Sequence, residues 1–438
     1  MIMYDIYKNT VIQLTNDIES VTLPSNVTTI SSYSFANSKL LRTVNFESNN
    51  KLTTIMVNAF DGCSSLSTIT LPTSLTTIDQ YAFSYCSTLR SISFPNSLTS
   101  IGRNAFQYCT SLTTITFSNV VSMTIKEYCF INCNLLDSVS FGNGLSSLGF
   151  NCFENCTRLE QLRFPASLKS IGMNCFFNSG LKNVIFPEDS VFYDISPSSF
   201  RGCTQLTNIQ LPVNVRILGE NCFESTKLSI FSVPCSVVTI SSYSFRNCYE
   251  LSEFIIVENN NLKTIEDRAF DGCTRLRLFR IESSNFFTVF NGALFNKNMS
   301  TLICFPPASS IKYFSFPEEV RIVGSGAFFG CRSIMSILIP DNSIERIGTF
   351  SFANCTSLKM INIPSSIKII ENGAFSGCIS LKCGVFIDNK ERRFIQELIE
   401  TSLLPVTAIN ECGLFSCKVH NKFDIPVSPS YLFVFILM

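Results

Sequence analysis

One segment recurs so regularly that it limits what this chain can fold into. Ala82-Phe83-Ser84-Tyr85-Cys86-Ser87-Thr88-Leu89-Arg90-Ser91-Ile92-Ser93-Phe94-Pro95 is followed by Ala105-Phe106-Gln107-Tyr108-Cys109-Thr110-Ser111-Leu112-Thr113-Thr114-Ile115-Thr116-Phe117, an offset of 106 − 83 = 23 residues. A short fixed period marks a solenoid, in which each unit stacks on the next because it cannot bury its own apolar face alone. A length of 438 residues would otherwise suggest two or three globular domains. The repeat overrides that prior.

Each unit has two parts. The first reads apolar-x-x-apolar-x-apolar, often closed by Pro, as in Ile18-Glu19-Ser20-Val21-Thr22-Leu23-Pro24. Alternation at its end predicts a strand, and Pro stops it because Pro donates no ladder hydrogen bond. A second short apolar segment follows, such as Leu75-Thr76-Thr77-Ile78, and then a Phe anchor. The anchors are Phe35, Phe60, Phe83, Phe106, Phe130, Phe153, Phe176, Phe200, Phe223, Phe245, Phe270, Phe328, Phe352 and Phe375. Most follow the previous one by 22 to 25 residues, which predicts about fifteen coils, mostly strand and loop with little helix. At ~4.8 Å per coil the rod is about 70 Å long. The anchors should stack as a column, and each buried Phe contributes about 1.5–3 kcal/mol.

The expected organisation is an N-terminal cap over residues 1–17, a solenoid over 18–384 and a C-terminal cap and apolar tail over 385–438. The period breaks between Phe270 and Phe328. There Asn291-Gly292 and Asn296-Lys297-Asn298 are turn signals within 279–310, which predicts a hairpin built into the stack. Asp388 to Glu400 reads as a helix, with Phe394, Ile395, Leu398 and Ile399 on one face and Asp388 and Glu391 spaced as a capping box. The final apolar run, Tyr431 to Met438, is too short for the ~20 residues that span a bilayer. A truncated anchor is one reading of it; docking on the last coil or lying at an interface is preferred.

The cysteines tempt one toward chemistry, but their placement is structural. Cys63, Cys86, Cys109, Cys133, Cys156, Cys203, Cys248, Cys273, Cys331, Cys355 and Cys378 each fall three residues after an anchor, and Ser179 and Thr226 fill the same slot elsewhere. A small side chain that buries well explains all three residue types. Side chains stacked in register keep their Cβ atoms ~4.8 Å apart, beyond disulfide reach, so a ladder of reduced thiols is expected. Thus Phe83, Cys86, Phe106, Cys109, Phe153 and Cys156 are assigned to a structural ladder. Cys383, Cys412 and Cys417 lie outside it and are the disulfide candidates.

The inventory excludes several functions. There is one His, His420, three residues from Cys417 in a segment read as tail, and there is no Cys-x-x-Cys pair. No catalytic set, phosphate loop or metal cluster is present, so the chain is read as a non-enzyme without cofactor or metal. Lys+Arg and Asp+Glu number 33 each and charged residues make up 15%, which gives no electrostatic case for nucleic acid. No segment reads as transmembrane, and the N-terminus lacks a recognisable secretory signal.

The unit Leu-x-x-Ile-x-(Leu/Phe)-Pro followed by Ile-x-x-x-Ala-Phe-x-x-Cys resembles the BspA-like class of leucine-rich repeats over roughly residues 18–384. Gly292-Ala293-Leu294-Phe295 with Leu302-Ile303-Cys304-Phe305-Pro306 resembles a variant coil of that class. Members occur among surface antigens of mucosal protozoa and surface proteins of oral bacteria. The resemblance implies a right-handed superhelix with a parallel β-sheet on one face, and attachment to host cells or extracellular matrix proteins. Members often carry a secretion signal or a transmembrane helix, and neither pattern is visible here. Localisation is therefore open between cell surface, secretion and cytoplasm.

A partner would meet the outward strand positions. In the first half these are Thr68, Thr70, Ser91, Ser93, Thr114, Thr116, Ser138 and Ser140, a smooth polar surface. Further on, Arg163, Ile185, Ile230, Glu253, Ile255, Leu278 and Arg280 place apolar residues among charges, the composition of a binding patch with a polar rim. The same residues would also suit packing beneath the 279–310 insertion. The leading expectation is a monomeric, protein-binding, adhesin-like solenoid, and the alternative is an intracellular interaction scaffold. Of the glycosylation sequons at Asn26, Asn155, Asn298 and Asn354, Asn298 should be the most accessible, and the ladder cysteines beside Asn155 and Asn354 should restrict those two.

Overall fold

A computed structural model describes residues 2–409 except 6, 8, 15–17 and 119–121. The chain winds into a β-solenoid. Each regular coil supplies a longer strand, such as Ser91–Phe94, and a two-residue strand, such as Ser100–Ile101. The two kinds build separate parallel sheets, with Ser91–Phe94 pairing in register with Thr114–Phe117 and Ser100–Ile101 with Thr77–Ile78. Alternation is obeyed: in Thr114–Phe117, Ile115 and Phe117 are buried and Thr114 and Thr116 exposed.

The anchors form the expected column. Neighbouring rings from Phe35 to Phe106 lie 4.8–5.0 Å apart and nearly parallel. Toward Phe200, Phe223 and Phe245 the spacing widens to 5.9 and 5.6 Å. What holds each Phe in place was not foreseen: the residues two before and two after every expected anchor have positive φ. Around Phe83 these are Tyr81 and Tyr85, around Phe153 Asn151 and Asn155, and around Phe375 Gly373 and Gly377. Asn and Gly predominate there because they tolerate the left-handed region. At Gly62 a Cβ would sit 2.6 Å from Asn37 Oδ1 of the preceding coil, so the stacked Asn also excludes a side chain.

The cysteines obey the ladder, with a bond the sequence did not disclose. Each thiol donates to the carbonyl of the anchor one coil back: Cys86 Sγ to Phe60 O at 3.3 Å, Cys109 to Phe83 at 3.3 Å and Cys156 to Phe130 at 3.3 Å. Where Ser179 or Thr226 replaces Cys, its hydroxyl meets the next thiol, Cys203 or Cys248, at 3.2 and 3.3 Å. All the ladder cysteines are free and buried. Burial pushes the Cys133 thiol up to about 12 and raises Cys86, Cys109 and Cys156 well above the ordinary value. Cys383 is disulfide-bonded. Cys412, Cys417, His420 and the Tyr431–Met438 run lie outside the described residues.

The insertion is a three-stranded antiparallel element. Phe287–Phe290 turns through Asn291-Gly292 into Ala293–Asn296, which pairs with Thr301–Cys304. Thr301–Cys304 then joins the parallel sheet of short strands at Ile322–Val323. Ala293, Leu294 and Phe295 are all fully buried, yet Leu294 packs into the core behind it while Ala293 and Phe295 pack into the core ahead. The insertion is thus a septum between two hydrophobic cores. The first anchor column ends at Phe270. A second begins at Phe305, 5.0 Å from Phe328, and continues through Phe352 to Phe375.

At the ends, Ile2–Tyr4 and Thr10–Leu14 form a hairpin whose second strand pairs with the first coil. The C-terminal helix spans Arg392–Ser402, and Leu398 is buried while Phe394, Ile395 and Ile399 are part-buried. The expected capping box is absent: Glu391 is the N-cap and makes no side-chain cap bond. Instead Asn389 Oδ1 accepts the Glu391 N–H at 3.0 Å. Among the described residues no helix is long and apolar enough to cross a membrane.

Candidate binding surface

The longer strands display their outward residues in rows, because consecutive coils pair in register. From Thr68 to Ser140 these residues are Ser and Thr, all exposed. The rows then change. Arg163 pairs with Ile185 and Ile185 with Gln210 in one three-stranded sheet. In the next sheet one row is Ile230, Glu253 and Leu278, and the other is Ser232, Ile255 and Arg280.

Ile230 and Leu278 face solvent, 55% and 44% exposed, on either side of half-buried Glu253. Arg280 reaches diagonally to Glu253 at 3.4 Å. An exposed pair of this kind contributes no more than about 1 kcal/mol, so it orients the rim rather than stabilising the fold. Ile255 corrects the sequence reading. Alternation turns it outward, yet it is only 7% exposed and lies outside the main core. It sits on the middle strand between Ser232 and Arg280, and the Arg280 side chain crosses beside it toward Glu253. The insertion joins the sheet of short strands and forms the septum, and Ile230 and Leu278 stay exposed. Arg163 is exposed and Ile185 half-buried, and they belong to the preceding sheet.

Between these two sheets lies a cleft of about 270 Å³, bordered by Asn208, Ile209, Leu211, Ile230, Phe231 and Ser232. No motif announces it. The available signal was length: Phe223 to Phe245 is 22 residues, the shortest interval between anchors.

Sequence reading also missed a polar junction beside the septum. Asp271 is 3% exposed, and its Oδ2 accepts the Arg268 Nε–H at 2.6 Å while Oδ1 has no hydrogen-bond partner. Burial raises its carboxyl from 3.8 to about 6, against the opposing pull of the Arg268 guanidinium. That guanidinium also stacks over Tyr243 on one side of the septum and Phe350 on the other, at 5.0 and 4.8 Å. Ser325 Oγ donates to Asp267 at 2.9 Å across the same boundary. Among the sequons, Asn298 is exposed, and so is Asn354 despite its neighbouring ladder cysteine. Asn155 is half-buried and donates to Asn132 Oδ1 at 2.9 Å.

Comparison with known proteins agrees with this geometry. The model of the BspA type leucine-rich repeat region matches residues 5–136, 123–252, 189–302 and 303–398. A leucine-rich repeat protein from Bacteroides ovatus is 26% identical, with 87% of this chain and 92% of that one covered and a TM-score of 0.58. A leucine-rich cell surface protein from Faecalibacterium prausnitzii is 18% identical, covering 94% and 96%, with a TM-score of 0.38. The pneumococcal vaccine antigen PcpA is 19% identical, covering 87% and 83%, with a TM-score of 0.35. No curated protein sequence matches.

Proposed function

We propose, from the premise that this chain belongs to the BspA-type leucine-rich repeat family, that it is a non-enzymatic adhesin-like protein. Its sheet face recognises a protein on a host cell or in the extracellular matrix. The observation that carries this is the pair Ile230 and Leu278, solvent-facing around a Glu253–Arg280 rim on the sheet face. Apolar side chains held on a rigid sheet lose little freedom on binding, and a charged rim selects orientation. Arg163 and Ile185 extend the surface along the stack.

The test uses immobilised collagen, laminin and fibronectin, and intact epithelial cells, as probes for the full chain. Ile230→Asp with Leu278→Asp should weaken binding at least 10-fold while circular dichroism stays unchanged, since both side chains are exposed. Unaltered binding by the folded double variant would refute the assignment. Surface labelling of intact source cells separates display from an internal scaffold.

A further inference from the structure

The cleft is an opening in the sheet with a particular chemistry. Asn208–Gln210 and Ile230–Val233 are the longer strands of consecutive coils, yet they belong to different sheets and are not hydrogen-bonded to each other. The short strands of the same coils, Ile217–Leu218 and Thr239–Ile240, remain paired. The two coils therefore part on the binding face and stay closed behind it. In the preceding coil the residue after the strand-opening Leu donates to its counterpart one coil back, Thr207 N to Lys182 O at 3.1 Å. Here the bond is displaced, from Lys227 N to Leu206 O at 3.0 Å.

Two consequences follow from the parting. Ile209 and Leu211 occupy inward positions but remain part-exposed, whereas their counterparts Val184 and Phe186 are fully buried. The cleft thus has an apolar floor. Its walls are two strand edges without a ladder partner, and an open edge is a template for another extended chain. At about 270 Å³ it has room for a large side chain, and the open strand edges beside it offer backbone partners that suit an extended chain. Resting on the reading of this face as the binding surface, we infer that the cleft receives an extended segment of the partner protein. One apolar side chain enters between Asn208–Gln210 and Ile230–Val233, and the segment's backbone amides pair with an open strand edge.

The probe is a set of fluorescein-labelled nonapeptides of alternating Ser and Thr. The central residue is varied through Ala, Leu, Ile, Phe, Met, Asp and Lys, and polarisation is read with the full chain. Peptides with central Leu, Ile, Phe or Met should bind at least 10-fold more tightly than those with Ala or Asp. N-methylation of the two backbone amides flanking the central residue should remove most of that binding. Ser232→Trp and, separately, Thr207→Trp alter exposed positions at the mouth and should each reduce binding at least 10-fold with an unchanged melting temperature. Absence of binding by every peptide, indifference to N-methylation, or full binding by both Trp variants would overturn the inference. So would concentration-dependent dimers, in sedimentation, that Ser232→Trp abolishes, because the occupant would then be a second copy of the chain. If the Ile230→Asp, Leu278→Asp protein loses matrix-protein binding and both Trp variants keep it, the cleft inference fails while the surface reading stands.

Discussion

The long stack before the septum and the short one after it are built from the same unit but held together differently. The first runs from Phe35 to Phe270 as one uninterrupted column of rings over one core. The second has only Phe305, Phe328, Phe352 and Phe375 over a separate core, closed by the C-terminal helix. Within either block the cement is apolar and repetitive, so each coil is supported by identical neighbours. Between them the apolar septum is joined by one polar link that no other coil repeats: Arg268, its aromatic partners and Asp271. A repeat protein distributes stability as nearest-neighbour terms. The comparison therefore shows where those terms are interchangeable and where a single residue carries the link.

The sharpest way to break the comparison is to remove a ring from the middle of the long stack. Phe153→Ala should cost about 3–5 kcal/mol, read from the denaturant midpoint, because it leaves a cavity between two fixed neighbours. Thr114→Ala, on the exposed sheet face, should stay within about 0.5 kcal/mol. Equal small effects would dissolve the register. At the junction, Arg268→Ala strands the buried Asp271 carboxylate and should cost about 3 kcal/mol. Its clearer signature is calorimetric: one unfolding transition should become two, one for each block. A single sharp transition at lower temperature would mean that the septum couples the cores without Arg268.

A pH titration refines the same point. The Asp271 carboxyl rises from 3.8 to about 6 in the folded chain. Between those values the folded state holds a proton that the unfolded state releases, so stability falls as pH rises from about 4 to 6, by up to about 3 kcal/mol. Asp271→Asn should flatten this part of the profile. A profile with the same slope in both proteins would place the titration elsewhere. The smallest effect belongs to the ladder: Cys86→Ala should cost about 1 kcal/mol for its lost bond and volume, and Cys86→Ser less, as Ser179 and Thr226 already suggest. Native ladder thiols should resist alkylation at pH 8 until denaturant is added, since burial keeps them protonated.

The period, the anchors, the strands, the thiol ladder and the hairpin at Asn291-Gly292 were legible because each is a local pattern repeated or a turn rule applied. The left-handed residues flanking each anchor were visible only as an excess of Asn and Gly, and Tyr81, Tyr85 and Tyr108 in the same slots concealed the rule. Burial of Ile255 was not legible, since it depends on how a side chain from the next coil crosses it. Nor was the junction: Arg268 and Asp271 look like an ordinary spaced pair until the septum brings Phe350 over the guanidinium. The cleft is the collective result of one short coil, and alternation alone would have sealed Ile209 and Leu211 inside.

The ladder bonds all point one way. Every ladder Cys reaches back to a carbonyl in the coil before it, and hydroxyls such as Ser97 do the same, to Leu75 O at 2.6 Å. The anchor amides point forward, as Phe60 N does to Ala82 O at 2.7 Å. A chain made from its N-terminus thus presents each new coil to a finished surface that already holds the acceptors its thiol and hydroxyl require. At ~5–20 residues per second, a coil is delivered about every 1–5 s. The molecule is laid down like courses of brick, each course set on the one below while offering its own amides to the course above.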